Sequence, residues 1–196
     1  MRATSVTRAD VILVTHAHLD HFLPGETAIV AEHTGARVVG PATVIDALKG
    51  KLPPESLIEM EPPRKSRQEP AASVHARLGA VAITAFRTFH GRDHNSYLVE
   101  MPGFRFLHDG DNEDTRMLPP DALGRLDALF IGPWQGSGWD KFVDKVKPAK
   151  WFLMHLTTDE LKQHDEGKFL PPLCRKVPLP DSLSSRISPP WRLMIP

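Results

Sequence analysis

Between Thr15 and His21 the sequence reads Thr-His-Ala-His-Leu-Asp-His. Three imidazoles and one carboxylate fall within six residues, directly after the apolar run Asp10–Thr15. A lone histidine beside an apolar strand is ordinarily packed or solvated. Four polar donors at this spacing, next to a strand too apolar to satisfy them, point to a metal. Imidazole nitrogen and carboxylate oxygen suit Zn²⁺, Fe or Mn²⁺. A straight strand sends alternate side chains to opposite faces, so the four groups need a tight loop at the strand's C-terminal end. There, His16 and His18 can bind one ion, and Asp20 and His21 a second close by. The chain has ten histidines and a single cysteine, Cys174, so thiolate ligation is not the basis of this site.

His16-x-His18-x-Asp20-His21 after a buried strand resembles the signature of the metallo-β-lactamase fold superfamily. The resemblance covers about residues 9–156. It implies a later His after a strand, an Asp in a Gly-Asp turn and a His with a last strand. His90 follows the strand expected over Val81–Phe89. Asp111 sits in His108-Asp109-Gly110-Asp111, after Phe104–Leu107. His155 lies in the strand expected over Trp151–Leu156. His94 competes with His90 as ligand, but His90 directly ends the strand and Gly91 lets the backbone turn. His94 is then a candidate proton donor or supporting group. Asp109 competes with Asp111, which follows the glycine as the resemblance requires.

Carried over, the resemblance implies two divalent metal ions, zinc first and manganese or iron next. His16, His18 and His90 would hold one, and Asp20, His21 and His155 the other. Asp111 and a hydroxide would bridge them. Two cations about 3.5–4 Å apart need a shared anion, and together they lower the pKa of bound water. Asp20 and His94 are the catalytic candidates. The stretch from Asp20 to Pro41 and the turn Leu107–Asn112 look like the branch containing L-ascorbate-6-phosphate lactonase-like and N-acyl-phosphatidylethanolamine phospholipase D-like enzymes. Members of the superfamily usually carry several strands before the motif, whereas fifteen residues precede His16 here. The expected fold is therefore an α/β protein, an αββα sandwich of the metallo-β-lactamase type short of N-terminal strands. An open sheet edge then invites pairing with a second copy.

These side chains need strands to carry them. Asp10–Thr15 reads as a strand buried on both faces. A helix over Glu26–Thr34 with Gly35 at its C-cap, a strand over Ala36–Val39 and a helix over Ala42–Leu48 complete a βαβα unit. Leu52–Ala72 is a loop rich in proline and charge, with one short strand near Ser56–Met60. Strands follow over Val74–Leu78, Val81–Phe89, Ser96–Glu100 and Phe104–Leu107, the last two joined by a Pro102-Gly103 turn. Then come helical residues near Pro120–Arg125, a strand over Ala128–Gly132, a helix over Trp139–Val146, the strand over Trp151–Leu156 and a helix over Thr158–Gln163. From residue 170 seven prolines exclude helix interiors and central strands. The domain is thus placed over residues 1–169 and a proline-rich tail over 170–196.

With 196 residues, 41% apolar and 24% charged, the chain can bury a substantial core. Lys+Arg and Asp+Glu both number 24, a balance without the basic excess of a nucleic-acid binder or a polybasic membrane patch. No apolar run reaches the roughly 18 residues of a membrane span. One cysteine permits no intrachain disulfide and fits a cytoplasmic setting. The expected activity is dinuclear metal-dependent hydrolysis of a small ester, lactone or phosphodiester. The alternative is a truncated, non-catalytic metal-binding or interaction protein of the same fold. Loops at Pro62–Ala72, Gly91–Asn95 and Trp134–Asp140 are expected to set specificity.

Overall fold

A computed structural model describes residues 3–132 and 138–159, with Lys162 and Glu166. The elements run β1 (Val11–Leu13), α1 (Pro24–Thr34), β2 (Arg37–Gly40), α2 (Ala42–Leu48), β3 (Leu57–Glu59), β4 (Ser73–Leu78), β5 (Val81–Arg87), β6 (Asn95–Met101), β7 (Phe104–His108), α3 (Pro120–Leu123), β8 (Ala128–Ile131), α4 (Trp139–Val146) and β9 (Trp151–Leu153). One sheet is parallel, in order β1-β2-β3. The other runs β4-β5-β6-β7-β8-β9, antiparallel through β7 and parallel from β7 to β9.

Period-two side-chain alternation builds the layers. On β2, Val38 packs with Val44 and Leu48 of α2 and with Ala28 and Ala31 of α1. Its neighbour Val39 points the other way, toward Ile83, Ala85, Tyr97 and Val99 of the second sheet. On β6, Leu98 turns outward with Phe86 and Leu107 to meet Leu123, Phe142 and Val143 from the α3–α4 layer. Three apolar seams therefore separate four layers in the expected αββα order. Each fully buried Leu or Ile contributes roughly 1.5–3 kcal/mol. Core side chains such as Leu48, Leu107 and Leu129 are wholly enclosed.

Two expectations need correction. The run Asp10–Thr15 forms a strand of only three residues, and these are half-buried rather than covered on both faces. The cause is position: β1 lies at the edge of its sheet and pairs with β2 alone among the described strands. Its apolar run continues into Val14, which is buried and donates its N–H to Val39 O at 2.9 Å. The last strand stops at Leu153, so His155 lies two residues past it, with φ of 61°. The proline-rich tail, Cys174 and most of the helix expected over Thr158–Gln163 lie outside the described residues.

Strand direction places the site. β5, β7, β8 and β9 all run the same way, so their C-terminal ends share one rim of the six-stranded sheet. Asn95, opening β6 on that rim, donates its N–H to Thr15 O at 3.0 Å. This bond ties the loop after β1 to the same rim.

Candidate metal centre

Four loops meet there. The loop after β1 carries His16, His18, Asp20 and His21, and it turns sharply where the N–H groups of His21 and Phe22 both bond His18 O at 3.0 and 2.8 Å. The β5–β6 connection carries His90 and His94. The turn after β7 carries Asp109 and Asp111, and the segment after β9 carries His155.

Asp111 Oδ2 stands at the centre. It lies 2.9 Å from His21 Nε2, 3.5 Å from His155 Nε2, and 3.6 Å from the Nε2 atoms of both His16 and His90. The donor atoms of His16, His18 and His90 lie within 4.8 Å of one another, as do those of His16, His21 and Asp111, and those of Asp20, His21 and His155. The structure thus gathers at one rim the seven residues that the resemblance implies as ligands, with Asp111 grouped beside His16 and His21.

The electrostatics match a cation site. Burial would raise the Asp111 carboxyl, but the His21 hydrogen bond and the nearby imidazoles outweigh it and hold the group at about 2. It is an anion at neutral pH. Burial pushes His16 down to about 4 despite Asp111, so its ring is neutral and keeps a lone pair for a metal. His16 Nδ1 is 2.9 Å from Thr15 Oγ1, while its buried Nε2 has no hydrogen-bond partner. A buried nitrogen left so costs about 1–3 kcal/mol. A divalent cation among these donors would remove that cost, and the donor set, five imidazoles and two carboxylates, is of the kind such cations take. His21 rises above its ordinary value, chiefly through its hydrogen bond to Asp111.

The two competing residues sit differently. His94 is fully buried, with Nδ1 2.7 Å from Thr88 Oγ1 and Nε2 accepting the Asp111 N–H at 2.9 Å. Burial drives it well below its ordinary range. Both ring nitrogens are used, so its geometry suits bracing the Asp111 backbone rather than reaching a substrate as the expected proton donor. Asp109 is buried too, accepting from Ser96 Oγ at 2.8 Å and Asn112 Nδ2 at 3.1 Å. Burial lifts it to about 8 against those two bonds. It faces the scaffold, not the cluster.

Gly110 explains how the turn closes. Its φ is 58°, and a Cβ there would lie 2.5 Å from His94 Nε2 and 3.0 Å from Thr15 Cγ2. Only glycine admits this approach. At Gly91, φ is 56° and a Cβ would press on His18 Nε2 at 3.2 Å. The sequence reading missed Thr88, Ser96, Asn112 and Glu113. Hydroxyls and amides carry no spacing signal of their own, but Glu113, two residues past Asp111, is an acid in the motif's own turn. Among the expected specificity loops, Pro62–Ala72 supplies Arg64 and Arg67 over the Phe89 ring. Residues 133–137 of the third loop lie outside the described set.

The family model of the beta-lactamase superfamily domain matches residues 2–159. This chain belongs to the beta-lactamase superfamily. Among superfamily relatives, a UPF0173 protein of Pyrococcus furiosus is 30% identical over 129 residues, 64% of this chain and 54% of the relative. A UPF0173 metal-dependent hydrolase of Thermococcus onnurineus is 25% identical over 169 residues, 76% of this chain and 68% of the relative. The chain thus spans about half to two thirds of these relatives' length. The metallo-beta-lactamase fold protein YhfI of Bacillus subtilis superposes with a TM-score of 0.57 at 13% identity, over 82% of this chain and 72% of that one. That likeness concerns the fold. Among the described residues no helix is long and apolar enough to cross a membrane.

Proposed function

We propose that this chain is a dinuclear metal-dependent hydrolase of a small ester, lactone or phosphodiester, acting in the cytoplasm on a small-molecule substrate and binding neither nucleic acid nor membrane. One observation carries the reading: a single carboxylate oxygen, Asp111 Oδ2, lies within 3.6 Å of four imidazole nitrogens that come from three different loops. No fold requirement gathers four histidines around one anion. The Thermococcus relative's name, metal-dependent hydrolase, supports the same class.

In this reading His16, His18 and His90 would hold one ion and Asp20, His21 and His155 the other, with Asp111 between the two groups. Zinc suits the donors best. Bound there, the ions would acidify a water and polarise the scissile oxygen. The chain's own residues hold that chemistry in place. Asp111 contributes fixed negative charge between the two groups of ligands. The His94 ring accepts the Asp111 N–H and so locks the turn. Asp20, 67% exposed at its side chain and 3.3 Å from His21 Nε2, is the acid that faces the open side. In this reading it would ligate the second ion and serve the leaving group as proton donor. A second copy pairing along the β1 edge is part of this proposal.

Metal analysis and a substrate panel test it. Purified protein reconstituted with zinc should bind two equivalents and turn over at least one of a generic esterase, lactonase or phosphodiesterase panel. Asp20→Ala should abolish that turnover with the fold retained. Less than one equivalent of any transition metal would sink the proposal. Two equivalents without turnover on any panel would leave the non-catalytic alternative standing instead.

A further inference from the structure

Glu113 has no role in the ligand set, yet its carboxylate sits between two functional loops. Glu113 Oε1 lies 3.3 Å from His90 Nδ1, and Arg67 Nη2 donates to Glu113 Oε2 at 2.8 Å. The backbones are tied as well, because the Glu113 N–H bonds Phe89 O at 2.7 Å, one residue before His90. Arg67 lies with its guanidinium carbon 4.6 Å from the Phe89 ring centre. Arg67, Phe89, His90 and Glu113 therefore form a closed set.

An ionised carboxylate can only accept, so the hydrogen in the Glu113–His90 contact belongs to His90 Nδ1. A neutral His90 ring then has a bare Nε2. That atom faces the cluster, 3.6 Å from Asp111 Oδ2 and 3.2 Å from His18 Nδ1. We propose that Glu113, steadied by Arg67, is a positioning residue that selects the His90 tautomer and ring orientation needed to hold the first metal ion. The proposal rests on the metal reading above. Fold stability is a poor alternative explanation for the pair. The side chains of Arg67 and Glu113 are 46% and 40% exposed, and ion pairs so exposed add little to stability. Carboxylates behind ligating histidines typically govern metal affinity by about 10–100-fold.

The test has two arms. In metal-free protein, long-range ¹⁵N–¹H correlation should place the proton on His90 Nδ1. Glu113→Ala should shift the population toward the other tautomer, and Glu113→Gln, which keeps an acceptor oxygen, should restore much of it. In zinc titrations against a chromogenic chelator, Glu113→Ala should weaken one of the two equivalents about 10–100-fold and leave the other within about twofold. Arg67→Gln should give a smaller loss at the same equivalent. In a His90→Ala background Glu113→Ala should add nothing. Unchanged tautomer and unchanged affinities in Glu113→Ala would overturn the proposal, as would an equal further loss in the His90→Ala background. A wild type that binds no zinc would defeat the metal reading, whereas zinc binding by wild type with no change in Glu113→Ala would defeat the positioning role alone.

Discussion

Replacing Asp111 with asparagine keeps its size and removes its charge. In metal-free protein the folded carboxyl is held at about 2, against an ordinary 3.8. A group whose pKa is depressed on folding stabilises the folded state above its unfolded pKa, and the gain vanishes as pH falls through the folded value. The fall from 3.8 to about 2 corresponds to roughly 2 kcal/mol at pH 7. With a side chain only 6% exposed, little of that is lost to solvent. Asp111→Asn should thus lower metal-free stability by roughly 2 kcal/mol at pH 7, and the difference should shrink between pH 4 and pH 2. With zinc present, the variant should fold, lose most affinity for at least one equivalent and show no hydrolysis. Urea unfolding in chelator and zinc titration measure the two effects. Asp109→Asn is the control, because the two carboxylates share one turn. Asp109 is raised to about 8 by burial. A raised carboxyl costs stability as pH climbs from its unfolded value through its folded one. Asparagine mimics the neutral acid, so Asp109→Asn should keep both metals and make the metal-free protein relatively more stable at pH 9 than at pH 3. Two zinc equivalents retained by Asp111→Asn, with zinc binding abolished by Asp109→Asn, would refute the assignment of the central carboxylate.

Two scaffold substitutions should report on the same rim. Gly110→Ala places a methyl against His94 and Thr15 in a backbone that disfavours side chains, and it should cost about 2 kcal/mol or more, lowering Tm by about 4–8 °C and weakening zinc binding with it. Tyr97→Phe removes the hydroxyl that donates to Val14 O at 2.9 Å, just ahead of the histidine loop, and urea unfolding should show a loss of about 1–3 kcal/mol.

What the sequence revealed divides along physical lines. Helices α1 and α2 and strands β4 to β7 were readable because their signals are local. Gly35 takes the left-handed C-cap and its N–H bonds Ala31 O. Alternation such as Tyr97-Leu98-Val99 sorts side chains to two faces. The βαβα unit followed from that order, and the four αββα layers from the resemblance. The cluster His16 to His21 was legible from its own spacing, while His90, Asp111 and His155 were singled out only by the resemblance, each in a loop that follows a strand. Burial of β1 was misjudged because an apolar run does not say whether a strand lies inside a sheet or at its edge. The partners Thr88, Ser96 and Asn112 were invisible for a different reason. Hydroxyl and amide groups acquire their roles only when folding brings Asp109, His94 and Asp111 beside them.

His155 shows why the last ligand candidate was placed too far inside its strand. Only two described non-glycine residues have positive φ, Lys147 and His155. A histidine at 61° costs of order 1 kcal/mol or more relative to ordinary backbone. The strand ends at Leu153, and the Met154 N–H still bonds Ile131 O at 2.9 Å. Had the chain stayed extended, the next side chain would have followed the pleat. Instead the backbone turns left-handed at His155 itself, and Nε2 reaches 3.5 Å from Asp111 Oδ2. Gly91 and Gly110 make comparable left-handed turns beside His90 and Asp111. At those two positions glycine removes the penalty, whereas at position 155 the histidine bears it. Left-handed backbone also closes α4 at Lys147, so the turn alone marks no site; what distinguishes His155 is that its turn delivers the ring to Asp111.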